Sequence, residues 1–297
     1  MLLIIGGVVV VLASVAAGFL LENGKPLVLF QPAEFLIIVG GALGILVAGN
    51  PKRNLSRLLQ AVKEMGRKSS YTRQLYLEAL KVLYVLFSFG RRKGLGALAS
   101  KLEKPDNCDL LAQYPEFLND REALAFLCDS IRVAEVAGLE SDELDELMAV
   151  DLDVQRNVSQ QLVSAISRVA DSLPGLGIVA AVLGVVVTMQ AIEGPAAQIG
   201  HKVAAALVGT FLGILLCYGV VGPVASHLSA RNRARAEYLH VLRAGLVAFQ
   251  KGASPVVAAE YSRRSIPSDL RPSFDAMEYE LRRNTRVPET SEVEATH

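Results

Sequence analysis

Four stretches without a charged residue divide the chain into apolar and polar parts. They cover residues 1–21, 35–51, 172–192 and 203–230. A membrane-spanning helix needs about 20 mostly apolar residues, so each stretch predicts one span. The predicted spans are Met1–Leu21, about Ala33–Gly49, about Pro174–Ile192 and about Val203–Ala225. Pro32 and Glu34 mark the start of the second span, because proline fits the first helical turn and the positive helix end favours an anion.

The polar part between spans 2 and 3 has the pattern of soluble amphipathic helices. Apolar residues recur at helical spacing in two stripes, Leu75, Ala79, Leu83 and Phe87, and Leu144, Leu147, Met148 and Leu152. We therefore predict an all-α polytopic membrane protein with four transmembrane helices and a large helical cytoplasmic domain between helices 2 and 3. The predicted parts are 1–50 with helices 1 and 2, 51–171 as the cytoplasmic domain, 172–230 with helices 3 and 4, and 231–297 as a cytoplasmic C-terminal helix and tail. Residues 284–297 have little apolar content and are predicted to be disordered.

The distribution of basic residues predicts the orientation. Six Lys and Arg against one acid lie within 52–68, and four Arg against one acid lie within 231–243. The loops 22–32 and 193–202 contain one lysine each. Because cytoplasmic loops carry the excess of Lys and Arg, both polar regions and both termini are predicted to be cytoplasmic.

Composition excludes several classes of protein. The chain of 297 residues has 30 Lys and Arg against 30 Asp and Glu, which gives no overall attraction to nucleic acid. Its three cysteines, Cys108, Cys128 and Cys217, form no CxxC pair, so neither a disulfide framework nor a zinc site is predicted. No phosphate-binding loop or paired nucleophile and base occurs, and we expect neither an enzyme nor a bound cofactor.

The charge-free cores of the predicted spans also lack an ion-binding acid. None of the four cores contains Asp, Glu, Lys or Arg. Ionisable residues inside membranes mark ion pathways. If the protein moves ions, we therefore expect another chain to supply the titrating carboxylate.

Small residues in spans 3 and 4 predict close helix packing. Span 4 has Ala205, Gly209 and Gly213 four residues apart, and span 3 has Gly177 followed by Ala181. Such pairs let helix backbones approach closely in lipid. The pattern leaves open whether spans 3 and 4 of one subunit pack together or whether span 4 faces a partner helix inside a ring.

Two prolines and a threonine are candidate functional residues. Pro174 and Pro223 lie near the cytoplasmic ends of spans 3 and 4, and each removes a backbone donor. A structural kink explains either proline alone, whereas the pair at matched depth favours hinges. Thr210 in span 4 either bonds back to its own helix or lines an ion path, if the small-residue face conducts.

Ordered motifs over nearly the whole chain resemble the MotA family, the stator subunits of the bacterial flagellar motor, within the wider group that includes the ExbB and TolQ energisers. The motifs are Gln31-Pro32-Ala33-Glu34, Asp171-Ser172-Leu173-Pro174, the run Val208 to Leu216, and Arg271-Pro272-Ser273-Phe274. The resemblance implies a multi-pass protein of the bacterial inner membrane, in a ring of five copies around two MotB subunits. Each MotB would bring a single-span helix with the protonatable aspartate, and the ring would push on the rotor protein FliG.

The resemblance also implies roles for individual residues. Pro174 and Pro223 match the family's two functional prolines, and Arg91 matches its rotor-facing arginine. The family's acidic partner falls on Ala99, so the nearest downstream acid, Glu103, is assigned the rotor contact. The alternative to a rotor contact is that Arg91–Lys93 form a solvated turn at the end of a helix. Ala181 stands where sodium-driven relatives have an ion-binding threonine, which favours protons over sodium.

Two alternatives to a flagellar stator follow from the sequence. An energiser of the ExbB or TolQ kind would drive an envelope protein instead of a rotor. A passive membrane scaffold would conduct nothing. The four spans and the large cytoplasmic insertion favour MotA over the three-span energisers.

Overall fold

The fold is helical throughout the part of the chain that the computed structural model describes, residues 2–65, 71–190 and 195–283. No strand occurs within these ranges, which confirms the predicted all-α class. The helices are α1 (Leu2–Leu21), α2 (Pro32–Ala48), α3 (Lys52–Glu64), α4 (Arg73–Lys93), α5 (Leu95–Lys101), α6 (Pro115–Asn119), α7 (Arg121–Ala137), α8 (Ser141–Met189), α9 (Ala196–Leu216), α10 (Gly222–Gln250), α11 (Pro255–Ser265) and α12 (Phe274–Arg283). The predicted end of span 3 at Ile192 and the predicted disorder of 284–297 lie outside the described residues.

Local sequence signals determine where several helices begin and end. Thr72 precedes α4 and its hydroxyl accepts a hydrogen bond from the Leu75 N–H, and Asp120 does the same for Ala123 at the start of α7. Such side chains satisfy a backbone donor that the first helical turn leaves unpaired. Gly138 ends α7 with a φ of +61°, a left-handed conformation that glycine adopts without strain.

Four helices are long and apolar enough to cross a membrane. The qualifying segments are Leu3–Leu21, Pro26–Ala48, Ser141–Met189 and Gln198–Gln250. Of the described residues in the four predicted spans, they leave out only Leu2, Gly49 and Gln190. The chain is therefore a multi-pass membrane protein.

The chain divides into two compact units. The first comprises Met1–Ser69 and Asn157–Asn232, and the second comprises Ser70–Arg156 and Arg233–His297. Residues 51–65 and 157–171, which the sequence assigned to the cytoplasmic domain, thus cluster with the predicted spans. Leu58 of α3 illustrates the reason, since it is buried in one cluster with Ile166 of α8 and Leu228 of α10.

The second unit has the larger hydrophobic core. Ala79, Leu83 and Phe87 of α4 are fully buried in it, and the Phe87 ring stacks on that of Phe249 with centroids 4.5 Å apart. This confirms the first predicted stripe. The second stripe is wrong at Leu147, whose side chain is 44% exposed on α8.

Candidate functional site

The first candidate site is the α8–α9 seam, the contact made by Gly177, Gly184, Ala206, Gly209 and Gly213. A Cβ added to Gly177 would lie 2.7 Å from the Gly209 carbonyl oxygen, and one added to Gly213 would lie 2.5 Å from the Leu173 carbonyl oxygen. Both distances are too short for real side-chain contacts, so only glycine permits this approach of the two backbones. Of the two arrangements left open by the sequence, the structure has the packing of spans 3 and 4 within one chain.

The seam uses a different alanine from the one expected. Ala206 is 1% exposed, and a Cβ added to Gly184 would lie 2.7 Å from the Ala206 Cβ. Ala205, the predicted packing residue, is only half-buried. The residues in contact therefore follow the spacing 206, 209 and 213, in which steps of three and four alternate.

Ala181 and Thr210 lie at the margins of the seam, and both are half-buried. The Ala181 backbone nitrogen is 3.2 Å from the position that a Cβ on Gly209 would take, and the Thr210 Cα is 3.3 Å from the equivalent position on Gly177. The sequence reasoning missed a buried hydroxyl on α8. Thr188 is fully buried and donates a hydrogen bond of 2.7 Å to the Gly184 carbonyl oxygen.

The two prolines have different local surroundings. Pro174 lies inside α8, which continues through it, and the preceding residue, Leu173, supplies the carbonyl that touches Gly213. Pro223 is the second residue of α10 and follows a π-helical turn at Cys217–Val221. The Gly222 N–H donates to the carbonyl of Cys217, five residues earlier. Such a turn accommodates one extra residue and is a recognised site of helix adjustment.

A buried acid is the main feature of the first unit that the sequence did not predict. Glu34 of α2 is 7% exposed, and its Oε2 atom has no hydrogen-bond partner within the described residues. Cβ atoms added to Gly209 and Gly184 would lie 2.6 Å from Glu34 Oε2 and 3.3 Å from Glu34 Oε1. Glu34 belongs to the apolar segment Pro26–Ala48 and lies in the first turn of α2, as the sequence predicted, just outside the charge-free core 35–51.

The second candidate site is the exposed basic end of α4 in the second unit. Arg91 and Lys93 are exposed in its last turn and form no ion pair among the described residues. Arg92 donates a hydrogen bond of 3.2 Å to the Ser88 carbonyl oxygen of its own helix.

The acids around α5 differ from those expected. Glu103 is exposed, and no contact joins it to Arg91 within the described part of the chain. Ala99 is 8% exposed and belongs to the core side of α5, so an acid at this position would be buried. Glu135 of α7 was not foreseen, and its Oε1 lies 2.7 Å from the position of a Cβ on Gly96. It brings a carboxylate to the start of α5 from a distant part of the sequence.

The tail motif at residues 271–274 braces the end of α11. The Arg271 guanidinium donates to the carbonyl oxygens of Ile266 and Arg264, each at 2.9 Å, and Arg263 donates to the Pro272 carbonyl oxygen at 2.9 Å. Hydrogen bonds from Arg263 lower the pKa of Glu260, with which it pairs at 2.6 Å. This motif has a structural role, because its polar groups are used within the unit.

Comparisons with known proteins agree across the chain. The family described as Motility protein A N-terminal matches residues 4–94, and the MotA/TolQ/ExbB proton channel family matches residues 119–240. Motility protein A of Salmonella typhimurium is 33% identical over 293 residues, which is 98% of this chain and 99% of that protein.

Two solved structures have a similar fold. C. jejuni MotAB gives a TM-score of 0.75 at 20% identity and covers 92% of this chain and 98% of the other. The flagellar MotAB stator complex from Bacillus subtilis gives a TM-score of 0.70 at 20% identity over 93% of this chain and 98% of the other.

Proposed function

The chain belongs to the motility protein A family, and from this premise we propose that it is a flagellar stator subunit that, with a MotB-type partner, conducts protons and converts their flow into torque. The observation that carries the proposal is the 33% identity to a motility protein A over 98% of the chain. That match covers the spans and the helical region between them. It favours a stator over an energiser of the ExbB or TolQ kind. This family is one of channel and stator components, not a known enzyme family.

The assembly follows from the family. We place the chain in the bacterial inner membrane with both termini in the cytoplasm, because the segments 52–68 and 231–243 are rich in Lys and Arg. Five copies surround two partners, and each partner brings one membrane helix with a protonatable aspartate. The glycines of the α8–α9 seam are already used within one chain. The partner helix therefore meets other faces of the membrane unit.

Protonation of the partner's aspartate is the driving step. A charged carboxylate in the centre of a membrane costs roughly 2.5–3.5 kcal/mol on insertion scales. Adding a proton removes this cost and changes which ring subunit the helix prefers. Repeated protonation and release then turn the ring in one direction. Ala181 offers no oxygen ligand from its side chain, which supports protons over sodium as the driving ion.

Pro174 and Pro223 transmit the motion towards the cytoplasm. Each lies in or beside a helix that runs from the membrane unit into the second unit, since α8 begins at Ser141 and α10 ends at Gln250. The π turn before Pro223 gives α10 a point at which its hydrogen bonding can rearrange.

Arg91 and its basic neighbours make the contact with the rotor protein FliG, and Glu103 adds an acid to that surface. The support for this assignment is their exposure and the absence of ion pairs to Arg91 and Glu103 within the described residues. Exposed charge pairs contribute about 0–1 kcal/mol each. Contacts of this strength suit a surface that binds and releases the rotor repeatedly.

A reconstitution and a genetic test address the proposal. Proton flux should require the chain and its single-span partner together in vesicles, and neither alone should conduct. Flux through the chain alone would contradict the assignment of the working carboxylate to the partner, and no flux through the complex would favour the scaffold. Deletion should abolish swimming in soft agar in a strain without a second stator. Normal swimming of that strain would contradict the flagellar role.

A further inference from the structure

Glu34 is the one buried residue of an acidic or basic type in the described residues, and the driving step above does not use it. It is 7% exposed, whereas the other buried polar residues are Ser130, Thr188 and Ser262. Its Oε2 atom has no hydrogen-bond partner there. Leaving a buried polar atom unpaired is costly, and more so if the atom is charged, so such an atom requires an explanation.

Two glycines form the recess that holds the Glu34 carboxyl group. A Cβ on Gly209 would lie 2.6 Å from Oε2, and a Cβ on Gly184 would lie 3.3 Å from Oε1. The same positions are bordered by the methyl groups of Ala180 and Ala206. Space for the carboxyl thus exists because side chains are missing on both α8 and α9.

Within the described residues, the helices that line the recess place no cation beside the carboxylate. On α8, no titratable residue lies between Ser172 and Met189. On α9, the charged or titratable residues are His201 and Lys202, which precede Gly209 by eight and seven residues, about 10–12 Å along the axis. On α2, Glu34 is the titratable residue. An unpaired carboxylate in apolar surroundings is costly, so this environment favours the protonated form.

The position of Glu34 on its helix also allows the ionised form. Pro32 begins α2, so Glu34 is in the first turn, where the positive end of the helix favours an anion. Under the proposed orientation, this end of α2 lies on the non-cytoplasmic side, where protons enter. Small changes in access to water can therefore move the group between its two forms.

We propose that Glu34 is a proton-exchanging group of the ion path, supplied by this chain in addition to the partner's aspartate. The proposal rests on the proposed function. The Glu34 carboxylate accepts a proton from a hydronium ion at the outer side and leaves a water molecule. The new O–H bond then breaks as the proton passes to the partner's carboxylate, and Glu34 returns to its ionised form.

The test compares complexes with the partner in vesicles, with proton flux measured at fixed driving force over a series of external pH values. Positioned proton-transfer groups contribute about 10²–10⁴-fold, so E34Q should lower the flux about tenfold or more and flatten its pH dependence. E34D keeps the acid and should retain a pH-dependent flux. The matched control is E22Q, which removes an exposed acid in the segment between α1 and α2 and should behave as wild type.

Two results would overturn the proposal in this assay. Wild-type flux with an unchanged pH profile in E34Q would show that Glu34 exchanges no proton on the path. Flux that depends on sodium in the wild type and loses this dependence in E34Q would show a sodium site instead.

A second measurement uses only the wild-type complex, so it does not depend on whether a variant folds. Dicyclohexylcarbodiimide modifies protonated carboxyl groups in apolar surroundings, and mass spectrometry of the wild-type complex locates the modified residue. Modification of Glu34 that declines as external pH rises supports the proposal, whereas none at any pH overturns it. If Glu34 is modified in this way but the wild-type complex conducts no protons, the proposed function fails and the exchange at Glu34 stands.

Discussion

The close approach of α8 and α9 predicts that one added methyl group destabilises the protein. In G213A the new Cβ would lie 2.5 Å from the Leu173 carbonyl oxygen and 3.0 Å from the Gly177 Cα. Both obstacles are backbone atoms, so no side-chain rotation relieves them. Ordinary contacts begin near 3.4 Å, and the helices must separate by about 0.9 Å at this point.

The magnitude follows from two opposing effects. Overpacking costs about 1–3 kcal/mol, and a backbone obstacle places G213A in the upper part of that range. Alanine offsets this by about 0.8–1.0 kcal/mol through its better helix propensity. We therefore expect a net loss of about 1–2 kcal/mol in the free energy of unfolding.

G200A is the matched control, because it makes the same substitution on the same helix with nothing within 4 Å of the new Cβ. It should be neutral or slightly stabilising. Thermal unfolding of the purified complexes in one detergent, followed by the loss of a monodisperse species, compares both variants with wild type. Equal melting temperatures for G213A and G200A would refute the inference that backbone contact holds the seam together.

Four further predictions concern function and pH. Alanine at Pro174 or Pro223 should abolish torque while the complex still assembles, and wild-type swimming of both variants would contradict the hinge role. R91E should impair swimming without changing the yield of the complex. Normal swimming of this variant would show that the basic turn Arg91–Lys93 is solvated and makes no rotor contact. Swimming speed should follow the proton-motive force and ignore external sodium. Arg263 lowers the pKa of Glu260 below its ordinary value of 4.5. The stabilisation from this pair is therefore present above pH 4.5 and is lost as pH falls through the lowered pKa. The melting temperatures of wild type and E260Q should accordingly converge in acid.

The sequence predicted the spans well because charge-free runs of sufficient length have few alternatives. The start of α2 also followed, since Pro32 is a local signal. The contacts between helices were less predictable. The row through Ala205 assumed a spacing of four, whereas packed helices commonly use steps of three and four, which brings Ala206 to the neighbour.

The burial of Glu34 could not be predicted from its own helix. An acid in a first turn at the edge of an apolar run is usually placed in the interface, beside water and lipid headgroups. Its burial depends on the glycines at 184 and 209, about 150 residues or more away in sequence. The acid at Glu135 was missed for the same reason, because α7 brings it to α5 from a distance.

The π turn at Cys217–Val221 determines the directions in which the side chains of α10 point around the helix axis. An α-helix advances about 100° per residue, so one inserted residue accommodated as a bulge turns the later side chains by about that angle relative to an uninterrupted helix. A deletion within this turn would restore regular hydrogen bonding and at the same time point Ala225 and Leu228, now buried, in a different direction. A deletion that made the helix regular would therefore also remove these side chains from their buried positions. This cost opposes the loss of the π turn during evolution.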